Sequence, residues 1–496
     1  MRLILVDALN LIWRYVYTFD RPDKAVGHAI ANILQVSKDQ KADGIIIVWD
    51  GGSDRRKSFY PAYKLKDEEA LFKAGAPADI SEVSVLEGST IEITQSPAEV
   101  QRQDELERTS KNFEELCLKL KNSFDYCGLV QIMFPGEEAD DVIYTMVKSN
   151  MFGDCDFTIC SNDKDYFALL DERVMLWRWD KYYQLKNFLD EWEILPGDWV
   201  KLRSLMGDPS DNVPGVKGIG PKKAQGIIKQ GKYEEFVKAH KEKVELYLKV
   251  LEPALLDCEL FAPYSTFGVF DRHRAWQMFE FCKAGVQWVD YLMELNRSST
   301  MRSWKIGALG SDMSFCTACD LRKKAQQVVV YRGELDADIL VVGEGPGEEE
   351  DASGKPFCGR AGNVLDRWLE TLGITNKVLI SNVAWCRPSD DNGRNRAPST
   401  KEAAFCAHLG IEPLIKRLLP KLIISLGESA STFISGKKTK VIMSKEHGYG
   451  MIEQYGYPIV LWILYHPAST FYSNKTEGVI SEELGKLKEF IKKEGL

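Results

Sequence analysis

No apolar run in the sequence approaches the roughly 20 residues that a membrane-spanning helix requires. Even the N-terminal stretch MRLILVDALNLIW is interrupted by Asp7 and Asn10. This stretch also lacks the pattern of a secretory signal peptide. We therefore expect a cytoplasmic protein with no membrane partner.

Basic residues do not outnumber acidic ones. The chain has 64 Lys and Arg against 73 Asp and Glu, a formal net charge of −9. Because phosphate binding favours a basic surface, a nucleic-acid partner would depend on local basic patches. A disulfide framework is disfavoured, since the 11 cysteines are odd in number and spread over a long chain without a secretion signal. Free thiols in a reducing compartment, with room for one metal site, are expected.

The length of 496 residues exceeds what one hydrophobic core usually serves, so several domains are expected. Residues 1–295 alternate short apolar runs with helical stretches, which is typical of an α/β fold with a parallel sheet. A polar segment at about 64–112 interrupts this alternation and indicates a functional loop or disorder. Residues 296–312 are rich in Ser and Gly and are interpreted as a linker. A second α/β pattern occupies residues 313–496.

Nine acids of the first half are expected to converge at one edge of the predicted sheet, because they follow strands, begin a helix or lie in a turn. They are Asp7, Asp50, Glu138, Asp140, Asp141, Asp163, Asp165, Asp208 and Asp211. Carboxylates gathered this closely repel one another. Divalent cations bound by the carboxylate oxygens are the simplest way to stabilise them. Two Mg²⁺ or Mn²⁺ ions would activate a water and stabilise the leaving oxygen of a phosphodiester. Taken singly, each acid could equally be a helix cap or a solvated surface residue.

A glycine-rich turn, GVKGIGPKKAQGII, follows these acids. Gly218 and Gly220 allow tight turns whose backbone N–H groups face outward, and the next helix offers its N-terminus to a phosphate. Lys217, Lys222 and Lys223 add positive charge for a duplex backbone without reading its bases. The alternative is an ordinary connection between two helices.

Five segments resemble, in order over about 230 residues, the 5′ nuclease superfamily of flap endonucleases, phage 5′ exonucleases and the nuclease domain of bacterial DNA polymerase I. They are VDALNLIWR, VWDGGSDRRKSFYPAYK, GEEADD, SNDKDYFALL and LMGDPSDNVPGVKGIGPKKA. The resemblance implies a PIN-like nuclease domain in 1–295. It also implies a principal metal site at Asp7, Asp50, Glu138, Asp140, Asp141 and Asp163, and a second at Asp165, Asp208 and Asp211. Residues 205–230 would form a helix-hairpin-helix-like duplex clamp, which in the family often carries K⁺.

In that family the segment after the YxxYK motif forms an arch, here about 64–112, through which a single-stranded 5′ end threads. The resemblance makes Lys64 the arch-base lysine near the scissile phosphate, assisted by Arg55 or Arg56. Family members commonly continue with Asn-Arg, whereas Leu65 and Lys66 follow here. This departure bears on the number of catalytic cations and on the balance between flap and exonuclease activity.

Four cysteines of the second half stand out. Cys316 and Cys319 form a CxxC motif, and Cys386 and Cys406 follow. Four thiolates suit either zinc or an iron–sulfur cluster, and their spacing alone does not choose between these. Equally, only the CxxC could matter, or the thiols could be core residues.

The surrounding segments closely resemble family 4 uracil-DNA glycosylases over about 160 residues. They include CTACDLRKK, ILVVGEGPGEEEDASGKPFCGRAG, ISNVAWCRP, LIISLGESA and LYHPAS. The resemblance implies a uracil-DNA glycosylase-like parallel-sheet domain in 313–496, with a structural 4Fe–4S cluster on the four cysteines. Cys358 stands where the family usually has valine and is interpreted as a hydrophobic residue beside the pocket.

The same resemblance assigns the uracil pocket. Phe357 would stack on the base, Asn382 would hydrogen-bond its polar edge, and His466 would donate to the uracil O2 as it becomes anionic. The GEGPG loop would bring Glu344 and Gly345 against the base and the attacking water, where a carboxylate favours an oxocarbenium-like sugar.

Further residues near the pocket are secondary candidates. Glu350 is the alternative to Glu344 for assisting the water. Either Phe471 or Tyr472 would wedge into the duplex. The candidate phosphate contacts are Arg360, Arg387, Arg394 and Arg396.

Together the two halves indicate a bifunctional DNA enzyme that cuts 5′ ends or flaps and removes uracil by hydrolysis. The expected partners are DNA flaps, 5′ ends and uracil-containing duplex or single strands, with RNA primers as a further candidate. A nuclease without a polymerase domain is phage-like, so the expected setting is a bacterial or phage-infected cell. The alternative is a nuclease whose second half is a non-catalytic module or one that recognises a modified base.

Overall fold

The computed structural model describes residues 1–18, 22–64, 97–178, 180–436, 449–471 and 474–496. These residues form two compact units. The first comprises Met1–Asp125, Leu129–Gly268 and Met278–Trp288, and the second comprises Tyr126–Gly128, Val269–Gln277 and Val289–Leu496. Within the described ranges, no helix has the length and apolar character needed to cross a membrane.

A twisted, mostly parallel sheet forms the centre of the first unit. Its strands are β1 (Arg2–Asp7), β2 (Gly44–Trp49), β3 (Val130–Met133), β4 (Asp156–Cys160), β5 (Val174–Arg178), β6 (Lys181–Tyr183) and β7 (Ser265–Phe267). Their order is β6-β5-β4-β1-β2-β3-β7, and the two edge strands β6 and β7 are antiparallel to their neighbours. Every residue of β2 is buried, as expected for a central strand covered on both faces.

Helices connect these strands or follow the last of them, and their residues within Val269–Gln277 and from Val289 onward belong to the second unit. They are α1 (Ala8–Thr18), α2 (Pro22–Gln40), α3 (Asp54–Phe59), α4 (Pro97–Tyr126), α5 (Ala139–Lys148), α6 (Leu185–Trp192), α7 (Trp199–Met206), α8 (Pro221–Lys229), α9 (Tyr233–Ala239), α10 (Lys241–Leu251), α11 (Arg272–Cys282) and α12 (Trp288–Asn296). Short 3₁₀ turns lie at Asp165–Leu169, Pro196–Asp198, Pro209–Asp211 and Cys258–Tyr264. The expected arch falls largely on residues 65–96, which lie outside the described residues, and its remainder from Pro97 onward belongs to α4.

The second unit also has a mostly parallel sheet, which confirms the predicted α/β class for both halves. Its strands are β8 (Tyr331–Gly333), β9 (Ile339–Gly343), β10 (Val378–Asn382), β11 (Leu422–Leu426), β12 (Tyr449–Ile452) and β13 (Ile459–Leu464). The order is β12-β13-β11-β9-β10-β8, with β8 and β12 antiparallel to their neighbours. The helices are α13 (Ser299–Ser314), α14 (Leu321–Lys324), α15 (Glu348–Ser353), α16 (Arg360–Leu372), α17 (Thr400–Leu409), α18 (Ile411–Leu418), α19 (Gly427–Ser435) and α20 (Asn474–Glu494).

The interpretation of residues 296–312 as a linker was wrong, because most of them form helix α13. Ser298 caps this helix by accepting a hydrogen bond from the Met301 backbone N–H at 3.3 Å. The buried face carries Met301, Ile306 and Leu309, but also Arg302 and Lys305. These two charged residues interrupt the apolar period on which recognition of an amphipathic helix depends.

Candidate active sites

The ends of the parallel strands bring together three acids of the first unit. Asp7 is the last residue of β1, Asp50 follows β2, and Asp163 lies after β4. Asp7 accepts hydrogen bonds from the Ser161 hydroxyl at 3.0 Å and from the Tyr166 hydroxyl at 3.2 Å. Asp50 accepts from the Ala139 backbone N–H at 2.7 Å, at the start of α5. We call Asp7, Asp50 and Asp163 the central acids.

The central acids are crowded, and no described cation lies within ion-pair distance of them. Burial, and then the charge of Asp50, raise the pKa of Asp7 to about 7. Burial likewise raises the pKa of Asp50 and of Asp163. None of the three forms an ion pair with another described residue. The charge of Lys64 lowers the pKa of Asp50, and that of Arg203 lowers the pKa of Asp163, but burial outweighs both effects.

A second set, Glu138, Asp140 and Asp141, lies at the start of α5 and surrounds Arg56. The guanidinium pairs with Asp140 at 2.7 Å and Asp141 at 3.0 Å, and it also pairs with Glu138. Burial alone would raise the pKa of Asp140, but the charge and hydrogen bonds of Arg56 lower it overall. We call these three residues the Arg56 acids.

Arg55 and Arg56, which were predicted to contact DNA or assist Lys64, are paired with carboxylates instead. The Arg56 side chain is only 3% exposed, so it is a buried partner of carboxylates and is not available to a DNA phosphate. Arg55 is more exposed, yet it pairs with Glu137 at 3.0 Å and with Asp141 at 2.8 Å. Nothing in the sequence pattern indicated that both would turn toward the acids.

A third set, Asp165, Asp208 and Asp211, surrounds Arg203 of α7. The Arg203 side chain is 2% exposed and pairs with Asp165 at 2.8 Å, Asp208 at 2.6 Å and Asp211 at 3.2 Å. Burial, followed by the charge of Asp165, raises the pKa of Asp211 to about 7. Sequence reasoning missed Arg203 entirely. We call these three residues the Arg203 acids.

Lys64 connects the Arg56 acids to the Arg203 acids. Its Nζ lies 2.7 Å from Glu138 Oε1 and 4.0 Å from Asp211 Oδ1. The neighbouring Tyr63 hydroxyl donates to Glu138 at 2.6 Å. With its side chain 46% exposed, Lys64 keeps one face open to a substrate while it contacts the carboxylates. Its role near a scissile phosphate stays a prediction.

The donor chemistry of this site fits divalent metal ions. All nine candidate ligands are carboxylates, and Asp141 Oδ2 is buried with no hydrogen-bond partner among the described residues. However, no three His, Cys, Asp or Glu side chains of the described residues are arranged to hold a single metal ion. The ion pairs with Arg56 and Arg203 account for much of this, since they direct carboxylate oxygens toward guanidinium groups.

The glycine-rich turn closes against the loop that carries Asp208. Gly207 and Gly215 both have positive φ, and a Cβ on Gly207 would lie 2.6 Å from the Val213 carbonyl oxygen. Gly218 also has positive φ and opens to free space, while Gly220 caps α8 with Pro221 in its first turn. The N–H of Val216 donates to the Leu205 carbonyl at 2.8 Å, so this part of the turn does not face outward.

A basic cavity of about 820 Å³ lies beside this turn. Gly215 and Lys217 form one side, and Lys238, Lys241 and Lys243 of α9 and α10 contribute the other. Apart from Lys217, these lysines were not singled out from the sequence. Lys222 and Lys223 lie on the exposed start of α8, and Lys223 donates to the Gly218 carbonyl at 3.0 Å. We call this feature the lysine cavity.

The four candidate thiols converge in the second unit. Cys316, Cys319, Cys386 and Cys406 line one small cavity, together with Phe405 and Arg322. Burial, followed by the neighbouring cysteines, raises the pKa of Cys386 to about 12. The Trp385 backbone N–H donates to Cys406 Sγ at 3.2 Å. No three of these thiols are spaced to hold a single metal ion in the described chain, but four sulfurs around one cavity, one of them accepting an N–H bond, have the donor chemistry of a thiolate-bound group.

The uracil-binding candidates line a cavity of about 500 Å³ at the carboxyl ends of β9, β10 and β13. Phe357, Asn382 and His466 all face it, as do Glu344 and Gly345. The Phe357 ring centroid lies 6.0 Å from that of His466. Phe357 has a φ of 54°, a left-handed backbone that is costly for a bulky residue.

Gly343, the last residue of β9, makes room for this arrangement. A Cβ at Gly343 would lie closer than 3.0 Å to both Phe357 Cζ and Asn382 Oδ1. Asn382 itself is 1% exposed, and its Oδ1 is buried with no hydrogen-bond partner in the described part of the chain. A buried carbonyl oxygen without a donor is costly, so it is suited to accept from a bound ligand.

The structure distinguishes the two glutamates. Both carboxylate oxygens of Glu350 accept backbone N–H groups, from Gly347 at 3.0 Å and from Gly359 at 2.9 Å. Glu350 therefore ties the GEGPG loop to the start of α16 and is not free to assist a water. The Glu344 side chain lines the same cavity and forms no hydrogen bond or ion pair with the residues that the structure describes. Glu344 is thus the better candidate for contact with water.

Other residues near the cavity are less available than the sequence suggested. Arg387 donates to Asn395 at 2.7 Å, and Arg396 pairs with Glu402 at 2.7 Å. Arg394 is exposed, and Arg360 lies over the Phe471 ring at 4.9 Å. Tyr472 lies outside the described residues, whereas the Phe471 side chain is 41% exposed.

The interpretation of Cys358 was wrong. The side chain is exposed, outside the pocket, and lies 3.0 Å from the Ser353 hydroxyl.

Three family models match the chain. The 5′-3′ exonuclease N-terminal resolvase-like domain matches residues 2–193, and the 5′-3′ exonuclease C-terminal SAM fold matches residues 194–256. The uracil DNA glycosylase superfamily matches residues 330–488.

Individual relatives follow the same division. The type-4 uracil-DNA glycosylase of Thermotoga maritima is 40% identical over 184 residues, which are 36% of this chain and 91% of that protein. The thermostable DNA polymerase I of Thermus thermophilus is 36% identical over 142 residues, which are 28% of this chain and only 17% of the polymerase. A crystal structure of the T5 D15 protein co-crystallized with metal ions has 17% identity and a TM-score of 0.40, and the match covers 60% of this chain and 99% of that one.

Proposed function

The chain belongs to the type-4 uracil-DNA glycosylase family through its second half, and on that premise we propose that it is a bifunctional DNA-processing enzyme. Residues 313–496 remove uracil from DNA by hydrolysing the N-glycosidic bond. Residues 1–295 act as a metal-dependent 5′-3′ exonuclease and flap endonuclease, in keeping with the exonuclease models that match residues 2–256. The substrates are DNA flaps, 5′ ends and uracil-containing strands.

The unpartnered Asn382 oxygen in the uracil pocket is the observation that carries the glycosylase assignment. Its Oδ1 accepts the N3–H of an extruded uracil, which satisfies the buried oxygen. Cytosine presents no N–H at that ring position, so it leaves the oxygen unsatisfied and is disfavoured. The Phe357 ring stacks on the base, and Gly343 leaves the space that both groups need.

His466 stabilises the leaving base. Its Nδ1 accepts the Ala468 backbone N–H, which leaves the Nε2 proton to donate to the uracil O2 as negative charge develops there. Glu344 orients the attacking water and stabilises positive charge on the sugar. Glu350 holds the loop on which Glu344 lies. In this scheme Glu344 and His466 act on opposite charges of one transition state.

The nuclease assignment depends on the acids of the first unit. The central acids and the Arg56 acids would hold one Mg²⁺ or Mn²⁺, and the Arg203 acids would contribute to a second. When bound, such ions activate a water and stabilise the leaving oxygen of a phosphodiester. Lys64 contacts the scissile phosphate from the exposed edge of the site. The turn at 215–223 and the lysine cavity bind the duplex backbone, with K⁺ as a further candidate ligand of the turn.

The four cysteines would hold a 4Fe–4S cluster that orders the second unit. Such a cluster would crosslink segments of the chain, and the residues proposed for glycosidic hydrolysis lie in the separate uracil pocket. The convergence of Cys316, Cys319, Cys386 and Cys406 on one cavity supports this assignment.

Uracil release in EDTA tests the two activities separately. A duplex oligonucleotide with a single uracil is incubated with the full chain in EDTA, and abasic sites are detected by alkaline cleavage. We expect abasic sites in EDTA, and 5′-flap cleavage only after Mg²⁺ is added. Uracil-dependent binding without abasic sites would instead favour a non-catalytic module. If a free base analogue inhibits the reaction more strongly than free uracil does, the target is a modified base.

A further inference from the structure

We propose that Arg203 is a positioning residue that holds the Arg203 acids in the metal-free enzyme and competes with a divalent cation for them. This inference rests on the proposed metal-dependent nuclease function. Arg203 lies on α7, whereas Asp165 begins a 3₁₀ turn after β4, and Asp208 and Asp211 lie in the turn after α7. One buried side chain thus joins acids from two separate segments.

The guanidinium contacts one oxygen of each of the three carboxylates that would bind a second ion. Its Nη1 pairs with Asp165 Oδ1 at 2.8 Å, and its Nη2 pairs with Asp208 Oδ2 at 2.6 Å and Asp211 Oδ2 at 3.2 Å. The other oxygen of Asp208 accepts the Ser210 backbone N–H at 2.8 Å. A cation that uses the oxygens now bound to Arg203 must replace those bonds, and one that binds the opposite oxygens of Asp165 and Asp211 lies beside the guanidinium charge.

The backbone around Arg203 fixes where the guanidinium lies. Helix α7 ends at Gly207, whose positive φ turns the chain back so that Asp208 and Val213 exchange backbone hydrogen bonds. Gly207 and Gly215 pack too closely for a Cβ at either position. Asp208 and Asp211 are therefore presented to Arg203 by a loop with little freedom to move.

The charge balance shows why Arg203 does not replace the cation. Three carboxylates face one guanidinium, and of these three only Asp211 is near Lys64, at 4.0 Å. When the three carboxyl groups are ionised, the set keeps a net negative charge that attracts a divalent cation. The central acids, by contrast, have no ion pair with a described residue. A first ion should bind at the central acids, and a second, weaker ion should bind where it competes with Arg203.

Substitution of Arg203 tests this competition by measuring metal binding and thermal unfolding of the full chain. Arg203→Met removes the positive charge. Arg203→Lys keeps the charge, but an ammonium group cannot pair with several carboxylates in the planar arrangement of a guanidinium. In EDTA we expect Arg203→Met to lower the Tm of the first unit by roughly 5 °C or more, because three carboxylates lose their partner. Saturating Mn²⁺ should recover much of that loss, so the metal-induced rise in Tm is larger than in the wild type.

Calorimetric titration with Mn²⁺ gives the second readout. We expect one tighter and one weaker site in the wild type, and at least tenfold stronger binding at the weaker site in Arg203→Met. Arg203→Lys should give an intermediate change, and it serves alone if Arg203→Met does not fold. Arg173→Met, at an exposed residue 3.9 Å from Asp154, is the matched control and should leave both Mn²⁺ affinities unchanged.

Failure of this inference can be distinguished from failure of the proposed nuclease function. If both Arg203 variants lose Tm equally with and without Mn²⁺, and their Mn²⁺ affinities match the wild type, Arg203 is only a structural crosslink and the inference is wrong. If the wild type itself binds no Mn²⁺ and cleaves flaps in EDTA, the proposed metal-dependent nuclease is wrong, and the inference fails with it.

Discussion

His466 Nδ1 accepts a hydrogen bond from the Ala468 backbone N–H at 3.2 Å. A ring nitrogen that accepts carries no proton, so this bond assigns the proton of the neutral ring to Nε2. Burial lowers the pKa of His466 below its ordinary value, although the charge of Glu350 opposes the shift. The side chain is therefore a neutral donor at physiological pH.

This assignment predicts the pH dependence of uracil release. Because the pKa of His466 is lowered, the ring stays neutral above about pH 6.5 and becomes protonated only at lower pH. Protonation puts a proton on Nδ1, opposite the Ala468 N–H, and breaks the bond that orients the ring. We expect single-turnover release to be constant from about pH 6.5 to 8 and to fall at lower pH.

His466→Ala provides the reference for this profile. Loss of a donor to a developing anion should slow release by about 10²–10³-fold, and the remaining activity should lose the acidic decline attributed to the ring. Flap cleavage in Mg²⁺ should be unaffected. A decline that begins above pH 7 in the wild type would contradict a neutral histidine donor.

Gly343→Ala should damage the uracil pocket without touching a catalytic group. The added methyl would approach Phe357 Cζ and Asn382 Oδ1 closer than 3.0 Å, so at least one of them must move. We expect a loss of uracil release of tenfold or more, measured as single-turnover kinetics on a uracil duplex, because misplacement of a bound base is costly. Gly485→Ala, where a Cβ meets no atom within 4 Å, is the control. Equal activity of the two variants would show that the contact at Gly343 is unimportant.

The positions of Asp7, Asn382 and His466 could be predicted from sequence because buried parallel strands are nearly continuous apolar runs. A polar residue ends each run or follows it within two residues, and strand ends of one sheet meet at one edge. Both family resemblances were right for a related reason, since the motifs that carry them lie at these strand ends.

Arg203 and Arg56 could not be predicted in the same way. Arginine is normally exposed, and these two are buried only because acids from several segments converge around them. The role of Glu350 was equally hidden, since its partners are backbone N–H groups of Gly347 and Gly359. Contacts made by the backbone leave no side-chain pattern in the sequence.

Substitution of Cys386 tests the iron–sulfur assignment. Protein purified without oxygen should be brown, absorb near 400 nm and contain about four irons per chain. Cys386→Ser should lose most of this iron and absorbance, since the thiol lines the shared cavity. Cys358→Ser changes an exposed thiol outside that cavity and should keep both. Zinc in a colourless and active wild-type protein would refute the cluster.

The lysine cavity should contribute to duplex binding through charge alone. Replacing Lys238, Lys241 and Lys243 together by alanine should weaken binding of a flap duplex and flatten its salt dependence. For every phosphate that is no longer neutralised, the slope of log K against log salt should decrease in magnitude by roughly 0.9. The slope is measured by fluorescence anisotropy in Ca²⁺, and Lys181→Ala on β6 is the control. An unchanged slope in the triple variant would place the duplex elsewhere.

Asp141→Asn should abolish nuclease activity and leave uracil release intact. Asp141 lies among the Arg56 acids, and its Oδ2 is the buried oxygen that lacks a partner in the described chain. An amide there removes one negative charge and replaces one acceptor oxygen by a donor, so it cannot serve as an ionic ligand. We expect flap cleavage in Mg²⁺ to fall by roughly 10³-fold or more, since a bound cation stabilises the transition state by several kcal/mol. Uracil release in EDTA should match the wild type, because the uracil pocket is formed by other residues, among them Phe357, Asn382 and His466.

Loss of both activities in a folded variant would argue against two independent sites. Normal flap cleavage would show that Asp141 is not a ligand of the metal site.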